Sequence, residues 1–198
     1  MWYKVNKRYV GTQKIRPVWK YSYDFSNKTQ AQIQSDWWTF WGTSNFSSNS
    51  DGISWNPIRV GYDISQYVPT ANKITMSFVC SLYNSAAAWL RLIKANGDYT
   101  WATWLFVTTW SSNYRVPVIY WTSWTNVTPY SNWVYTNTVE LDFVNKTYVS
   151  KSTWLSDINL TLTDTQISNI RNNIGVMYAY VDYANGTWHL KSVSIKIE

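Results

Sequence analysis

The sequence predicts an all-β chain folded as an antiparallel two-sheet β-sandwich of jelly-roll type, with one or two short helices and an N-terminal β-hairpin. Three observations predict it. Aromatic residues fill 19% of the 198 positions and charged residues only 14%, with Asn, Ser and Thr supplying most of the polar surface. Aromatic and β-branched enrichment of this kind suits pleated, half-buried sheets. Two long segments alternate apolar and polar residues with period two. No Pro or Gly cluster interrupts the chain, so its length fits one domain without an internal linker.

Residues 1–20 stand apart by charge. They hold Lys4, Lys7, Arg8, Lys14, Arg16 and Lys20 and no acidic residue, out of a total of 17 Lys+Arg and 11 Asp+Glu. Removing these six leaves 11 basic against 11 acidic residues in 21–198, so the body is neutral and the formal charge of +6 belongs to the lead. Tyr3, Val5, Tyr9, Val10, Ile15 and Val18 alternate with the charges, and Val10-Gly11-Thr12-Gln13 reads as a turn. The lead is therefore expected to be a basic docking hairpin, 1–20, ahead of a β-sandwich, 21–198. A nucleic-acid reader needs a basic stripe on a folded surface or an arm of little but Arg and Lys. This chain has neither, and no nucleic-acid partner is expected.

Along the body, "SNKTQAQIQSD" (26–36) reads as a helical turn. "DWWTFWGT" (36–43) places Trp37, Trp38 and Trp41 ahead of a Ser/Asn loop, which makes them candidates for solvent-facing rings. A strand is expected near 53–60. In "KITMSFVCSL" Ile74, Met76, Phe78, Cys80 and Leu82 alternate with polar residues, so Cys80 faces the core. Strands follow near 88–94, 99–110 and 113–122, with Asp98-Tyr99 after Gly97 as a turn signal. In "YTWATWLFVTTW" one parity holds Tyr99, Trp101, Leu105 and Val107, and the other holds Trp104, Phe106 and Trp110. "YRVPVIYWTSW" repeats this, with Tyr114, Val116, Val118, Tyr120 and Trp124 against Ile119 and Trp121. Either both faces are covered or one lines an aromatic groove.

In "WVYTNTVELDF" Trp133, Tyr135, Val139, Leu141 and Phe143 form a second half-buried set. A strand at 147–151 follows. Asp164 ahead of Ile167, Ile170 and Ile174 predicts a short capped helix ending at Gly175. Strands at 175–183 and 186–197 close the chain, with Asn185-Gly186 as a turn.

Exposed rings stack against the C–H faces of sugars because the ring face carries negative potential. The candidate glycan-binding residues are therefore Trp37, Trp38, Trp41, Trp104, Trp110 and Trp121; the alternative is that the fifteen tryptophans are core and subunit-interface residues. Catalytic inventory is thin. A basic jelly roll rich in Trp, Tyr, Asn and Thr resembles the family 11 xylanases in composition, and that resemblance implies two facing glutamates. Glu140 and Glu198 are the only glutamates, and Glu198 is the last residue; no motif nominates a pair among the nine aspartates. The single histidine, His189, reads as a surface or edge-strand side chain. Metal sites of His and Cys are excluded by count, and no cofactor is expected; calcium on Asp and backbone oxygens near "SSNSDG" (47–52) is an unspecific candidate. No catalytic residue is assigned.

Residues 1–20 hold no apolar run of seven, so no secretory signal is expected, and no stretch approaches a membrane span. Lone Cys80 rules out an internal disulfide. Six Asn-x-Ser/Thr sequons (Asn27, Asn45, Asn126, Asn145, Asn159, Asn185) are what an Asn/Ser/Thr-rich chain yields by chance, and no glycans are assigned to them.

"KVNKRYVGTQKIRPVW", with Tyr-Val-Gly-Thr-x-x-Ile-Arg-Pro at 9–17, resembles the short leader of bacteriophage tail and virion structural proteins, often followed by a lectin-like (concanavalin A-like) jelly roll. "YDFSNKTQAQIQSDWWTFWGT" and "VELDFVNKTYV" resemble the opening and late strands of such jelly rolls more loosely. The resemblance implies a virion structural or adhesion protein of tail, collar, fibre or capsid decoration, made in the bacterial host cytoplasm. Docking would run through the lead, with Lys7, Arg8, Tyr9 and Arg16 as candidates. The expected partners are other virion proteins, with host cell-surface polysaccharide and a second copy of the chain as further candidates. A free carbohydrate-binding module or a degenerate glycoside hydrolase is the alternative.

Overall fold

The computed structural model describes residues 9–10, 13–14, 18–40, 46–54, 58–83, 87–93, 103–108, 113–114, 126–127, 133–152, 155–173, 175–182 and 187–198. In chain order these form β1 (Tyr9–Val10), β2 (Gln13–Lys14), β3 (Trp19–Asp24), α1 (Gln30–Ser35), β4 (Trp38–Phe40), β5 (Ser47–Asn49), β6 (Gly52–Ser54), β7 (Ile58–Asp63) and β8 (Lys73–Tyr83). Then come β9 (Ala87–Ile93), β10 (Thr103–Thr108), β11 (Asn113–Tyr114), β12 (Asn126–Val127), β13 (Trp133–Asp142), β14 (Thr147–Ser152), β15 (Leu155–Thr161), α2 (Asp164–Asn173), β16 (Val176–Asp182) and β17 (Thr187–Ile197).

Two antiparallel sheets result, as expected. One runs β15-β14-β13-β8-β17-β6-β5, with β3 also beside β17, and the other runs β12-β11-β10-β9-β16-β7-β4. The two long alternating segments are β8 and β13, neighbours in the first sheet. Their apolar residues line up across strands: Leu141, Ile74 and Ile197 form one row, Val139, Met76 and Ile195 the next, with Phe78 beside Val193 and Cys80 beside Leu190. All are buried, and each such side chain is worth about 1.5–3 kcal/mol removed from water.

Strand β17 serves two partners on one edge. Leu190 pairs with Ile53 of β6, and Ser192 to Ile197 pair with β3. A register shift between Leu190 and Ser192 separates the two, and the Phe25 N–H donates to the Lys191 carbonyl there at 2.8 Å. Gly52 is required at the same junction: its φ is +115°, and a Cβ would lie 2.1 Å from the Leu190 carbonyl oxygen.

Several expectations change. The single strand near 53–60 is two, β6 and β7, in opposite sheets. β15 was not expected; its polar sequence "LSDINLT" suits the sheet edge it occupies. Both helices begin with the same capping box, Thr29 with Gln32 and Thr163 with Gln166, in which the hydroxyl accepts from the Gln N–H and the Gln carbonyl accepts from the Thr N–H. Thr163, rather than Asp164, is thus the cap of α2, and Asp164 instead pairs with Lys146 at 2.9 Å. β1 and β2 pair as the expected hairpin across residues 11–12. The first body strand opens at Trp19, two residues ahead of the expected boundary.

Candidate functional site

Val60 of β7 is buried and marks the inner face of the seven-stranded sheet. Counting from it, the register assigns positions to the opposite, outer face. One row runs Thr39, Gly61, Tyr178, Arg91, Trp104 across β4, β7, β16, β9 and β10. The next runs Arg59, Tyr180, Trp89, Val107, Tyr114, Asn126 across β7, β16, β9, β10, β11 and β12. Asp63 and Asp182 flank the rows in the same parity. Five aromatic positions and two arginines thus share one sheet face. Rings offer stacking to sugar faces, and guanidinium groups offer forked donors to hydroxyl and carboxylate oxygens.

Strand β10 reaches this face through a bulge. Its register shifts between Trp104 and Phe106, so Trp104 and Val107 take register positions opposite Arg91 and Trp89 while Phe106 stands opposite Leu90, although Trp104 and Phe106 share sequence parity.

The remaining expected glycan residues divide. Trp37 is exposed, at 72% of its full surface. Trp38 is not a solvent-facing ring: it is 3% exposed and lies in the core. The reason is pairing, since Trp38 stands opposite Tyr62 on the inner face while Thr39 stands opposite Gly61 on the outer one. Its indole N–H donates to the Tyr21 hydroxyl at 3.0 Å, among Tyr23, Phe25 and Tyr62. Trp41, Trp110 and Trp121 lie outside the described residues, as do Lys7, Arg8 and Arg16 of the docking set; Tyr9 is a strand position in β1. Trp89, Arg91, Arg59, Tyr178 and Tyr180 were missed by sequence reasoning. The alternation within "AAWLRLI" and "VMYAYVD" was the available signal, but only the adjacency of β9, β16 and β7 joins them.

The acidic groups lie elsewhere. Glu140 is on the outer face of the other sheet, opposite Thr75, where Lys73 reaches it at 2.5 Å and Lys151 at 3.6 Å. The Lys73 hydrogen bond holds its carboxyl below the usual range. Glu198 is fixed by backbone pairing with Lys73 and contacts Lys196. An acid for glycoside cleavage must hold a proton near neutral pH, and Glu140 is tuned the other way.

His189 is buried rather than at the surface, and β17 is not a sheet edge there, since it has neighbours on both sides. Its Nε2 lies 3.4 Å from Asn49 Nδ2, and burial pushes its pKa down, with Asp51 opposing. "SSNSDG" forms the β5–β6 hairpin, in which the Asn49 side-chain oxygen accepts from the Asp51 N–H at 2.8 Å. Among the described residues no three His, Cys, Asp or Glu side chains gather as a metal set, and no helix is long and apolar enough to cross a membrane.

No family model matches the chain, and none of the curated proteins does. Solved structures do resemble it. An endo-1,3-β-glucanase from Streptomyces sioyaensis is similar with TM-score 0.64 and 12% identity over 94% of this chain and 99% of that one. The lectin UEA-II complexed with galactose gives TM-score 0.63 and 12% identity over 91% and 98%. A conserved carbohydrate esterase from the Shiga toxin-encoding bacteriophage phi24B gives 0.56 and 11% over 89% and 97%. At such identities the likeness establishes the fold: a lectin-like jelly roll.

Proposed function

We propose that this chain is a bacteriophage virion protein whose sandwich binds polysaccharide on the outer face of the seven-stranded sheet and whose basic N-terminal segment docks it to the particle. The observation that carries the binding reading is the register that sets Trp104, Arg91 and Tyr178 in one row and Trp89 and Tyr180 in the next. Adjacent strands lie about 4.8 Å apart, so the register sets these aromatic positions at a spacing suited to an elongated ligand. The similar proteins named above include a glucanase, a galactose-bound lectin and a phage carbohydrate esterase, which agrees with a carbohydrate ligand. The docking reading rests on the leader-like Tyr9-to-Pro17 motif and on the β1–β2 hairpin within it.

Binding without hydrolysis is part of the proposal, since Glu140 is ion-paired on the far sheet and Glu198 is held in the C-terminal corner. The test is a polysaccharide array probed with wild type, Trp89→Ala and Tyr180→Ala. Loss of roughly 1–3 kcal/mol per ring is expected, taking base–aromatic stacking as the analogue. Retention of full affinity by both variants would sink the sheet-face reading.

A further inference from the structure

Trp37 combines two unfavourable features in one residue. Its φ is +72°, the left-handed region in which a Cβ crowds the backbone and which is an outlier for a bulky residue. It ends α1 as glycine commonly does, with its N–H donating to the Gln34 carbonyl at 3.1 Å. Yet 72% of its surface is exposed, so packing within the chain returns little for the strain. Asn27 and Lys146, the other non-glycine residues with positive φ among those described, sit in polar turns. Glycine or asparagine at position 37 would close the helix without either penalty.

Its chain neighbour Asp36 is held by polar contacts. Asp36, next in the chain, accepts from the Tyr23 hydroxyl at 2.7 Å, and Lys28 lies 3.9 Å from the same carboxylate and 5.0 Å from the Tyr23 ring centre. The residue next to the exposed indole in the chain thus carries a fixed carboxylate with an ammonium group 3.9 Å from it; carboxylate and ammonium can take hydroxyl hydrogens and oxygens, and an exposed ring can take C–H faces. Trp37 also immediately precedes β4, the edge strand of the sheet bearing the aromatic rows. From β10 to β4 is four inter-strand steps, roughly 19 Å.

We infer that Trp37, with Asp36 and Lys28, is an outlying subsite for the far end of an extended polysaccharide lying across the seven-stranded sheet. This rests on the sheet-face reading and adds the ligand class: a chain of several sugars rather than a terminal mono- or disaccharide. Strain in the free protein is kept because the ring it displays contacts ligand.

The probes are laminarin and β-1,4-galactan, with oligosaccharides cut from each, titrated into the full chain as wild type, Trp37→Gly, Trp37→Phe and Trp89→Ala. Trp37→Gly should weaken polysaccharide binding about tenfold, within the range of one lost stack, and weaken disaccharide binding far less. Trp37→Phe should stay within a few-fold of wild type. The melting temperature of Trp37→Gly should equal or exceed that of wild type. A lower melting temperature would make the ring structural and overturn the subsite. Equal losses on long and short ligands, or none, would also overturn it; if Trp89→Ala still lost affinity, the sheet-face reading would stand. No binding of wild type to either polysaccharide would overturn both.

Discussion

Trp38 and Tyr21 join the two sheets: the indole N–H of one edge strand donates to the hydroxyl of the other at 3.0 Å. Around this bond Tyr21 stacks on Tyr62 at 4.3 Å and Trp19 on Tyr67 at 4.5 Å. Burial raises the Tyr21 pKa, so its hydroxyl stays protonated and can serve as acceptor and donor together. Aromatic rings of β3 thus pack against those of β4 and β7 across the two sheets.

Removing either partner should therefore be felt as lost stability. Tyr21→Phe leaves the buried indole N–H without its acceptor and should cost about 1–3 kcal/mol. Trp38→Ala should cost about 3–5 kcal/mol through the cavity it opens. Urea denaturation measures both. A Trp38→Ala protein of unchanged stability that loses glycan affinity would return the ring to the binding site.

Gly52→Ala tests the junction where β17 changes partner. With φ at +115° and a Cβ 2.1 Å from the Leu190 oxygen, the hairpin has no room to shift without losing the Leu190–Ile53 pairing. A loss of at least about 2 kcal/mol is expected, with hydrogen exchange rising first in residues 47–54. Unchanged exchange there would show that the backbone relaxes cheaply.

The main strands were legible because β8 and β13 bury one face against the core, and period two survives in any sequence that does so. The jelly-roll class followed. What stayed hidden depends on contacts distant in sequence. Trp37, Trp38 and Trp41 look alike in the sequence, and only the pairing of β4 with β7 puts Trp38 inside. The bulge after Trp104 decouples sequence parity from sheet face within β10. Trp89 and Tyr180 are neighbours solely because β16 returns beside β9. The cap at Thr163 was readable, since Thr-x-x-Gln recurs at both helix starts.

His189 gives a pH dependence whose sign is fixed by burial. Its folded pKa lies below the ordinary 6.5, so the unfolded chain takes up a proton first. Stability is full above about pH 6.5 and falls as pH drops toward the folded value. Wild type should lose stability as pH falls below about 6.5, and His189→Gln should lose less over the same interval. Equal slopes for the two proteins would remove His189 as the cause.

Glu140→Gln separates the ion pair from catalysis. The Glu140 pKa is depressed by Lys73, so its contribution is present above the ordinary carboxylate range and disappears as pH falls through the folded value. The partly exposed pairing should be worth under about 1 kcal/mol at neutral pH. Polysaccharide affinity should not change, and neither protein should release reducing sugar from laminarin or xylan. Turnover in wild type that Glu140→Gln abolishes would make the chain a hydrolase.

The last prediction concerns where the lead ends. Lys20 pairs with Lys196 and Trp19 with Ile197, and the Trp19 ring lies 4.5 Å from Tyr67, so residues 19–20 belong to the sandwich. Val18, at the start of this segment, is exposed. A two-stranded hairpin is marginal alone in water, so β1 and β2 need a surface to cover, and the five basic residues of 1–17, with no acidic one among them, favour an acidic surface on another protein. Deleting residues 1–17 should leave a sandwich of near wild-type stability that no longer joins the particle. Deleting 1–20 should cost a further 2 kcal/mol or so through the lost Trp19 stack. Charge reversal at Lys7, Arg8 and Arg16 should weaken docking most at low salt, because exposed charges are screened within about 8–10 Å at physiological ionic strength. Denaturation curves of the two truncations and mass spectrometry of purified particles decide it. Particles that take up the 1–17 deletion at the wild-type level would refute the docking role, and equal stability of the two truncations would move the boundary back to residue 20.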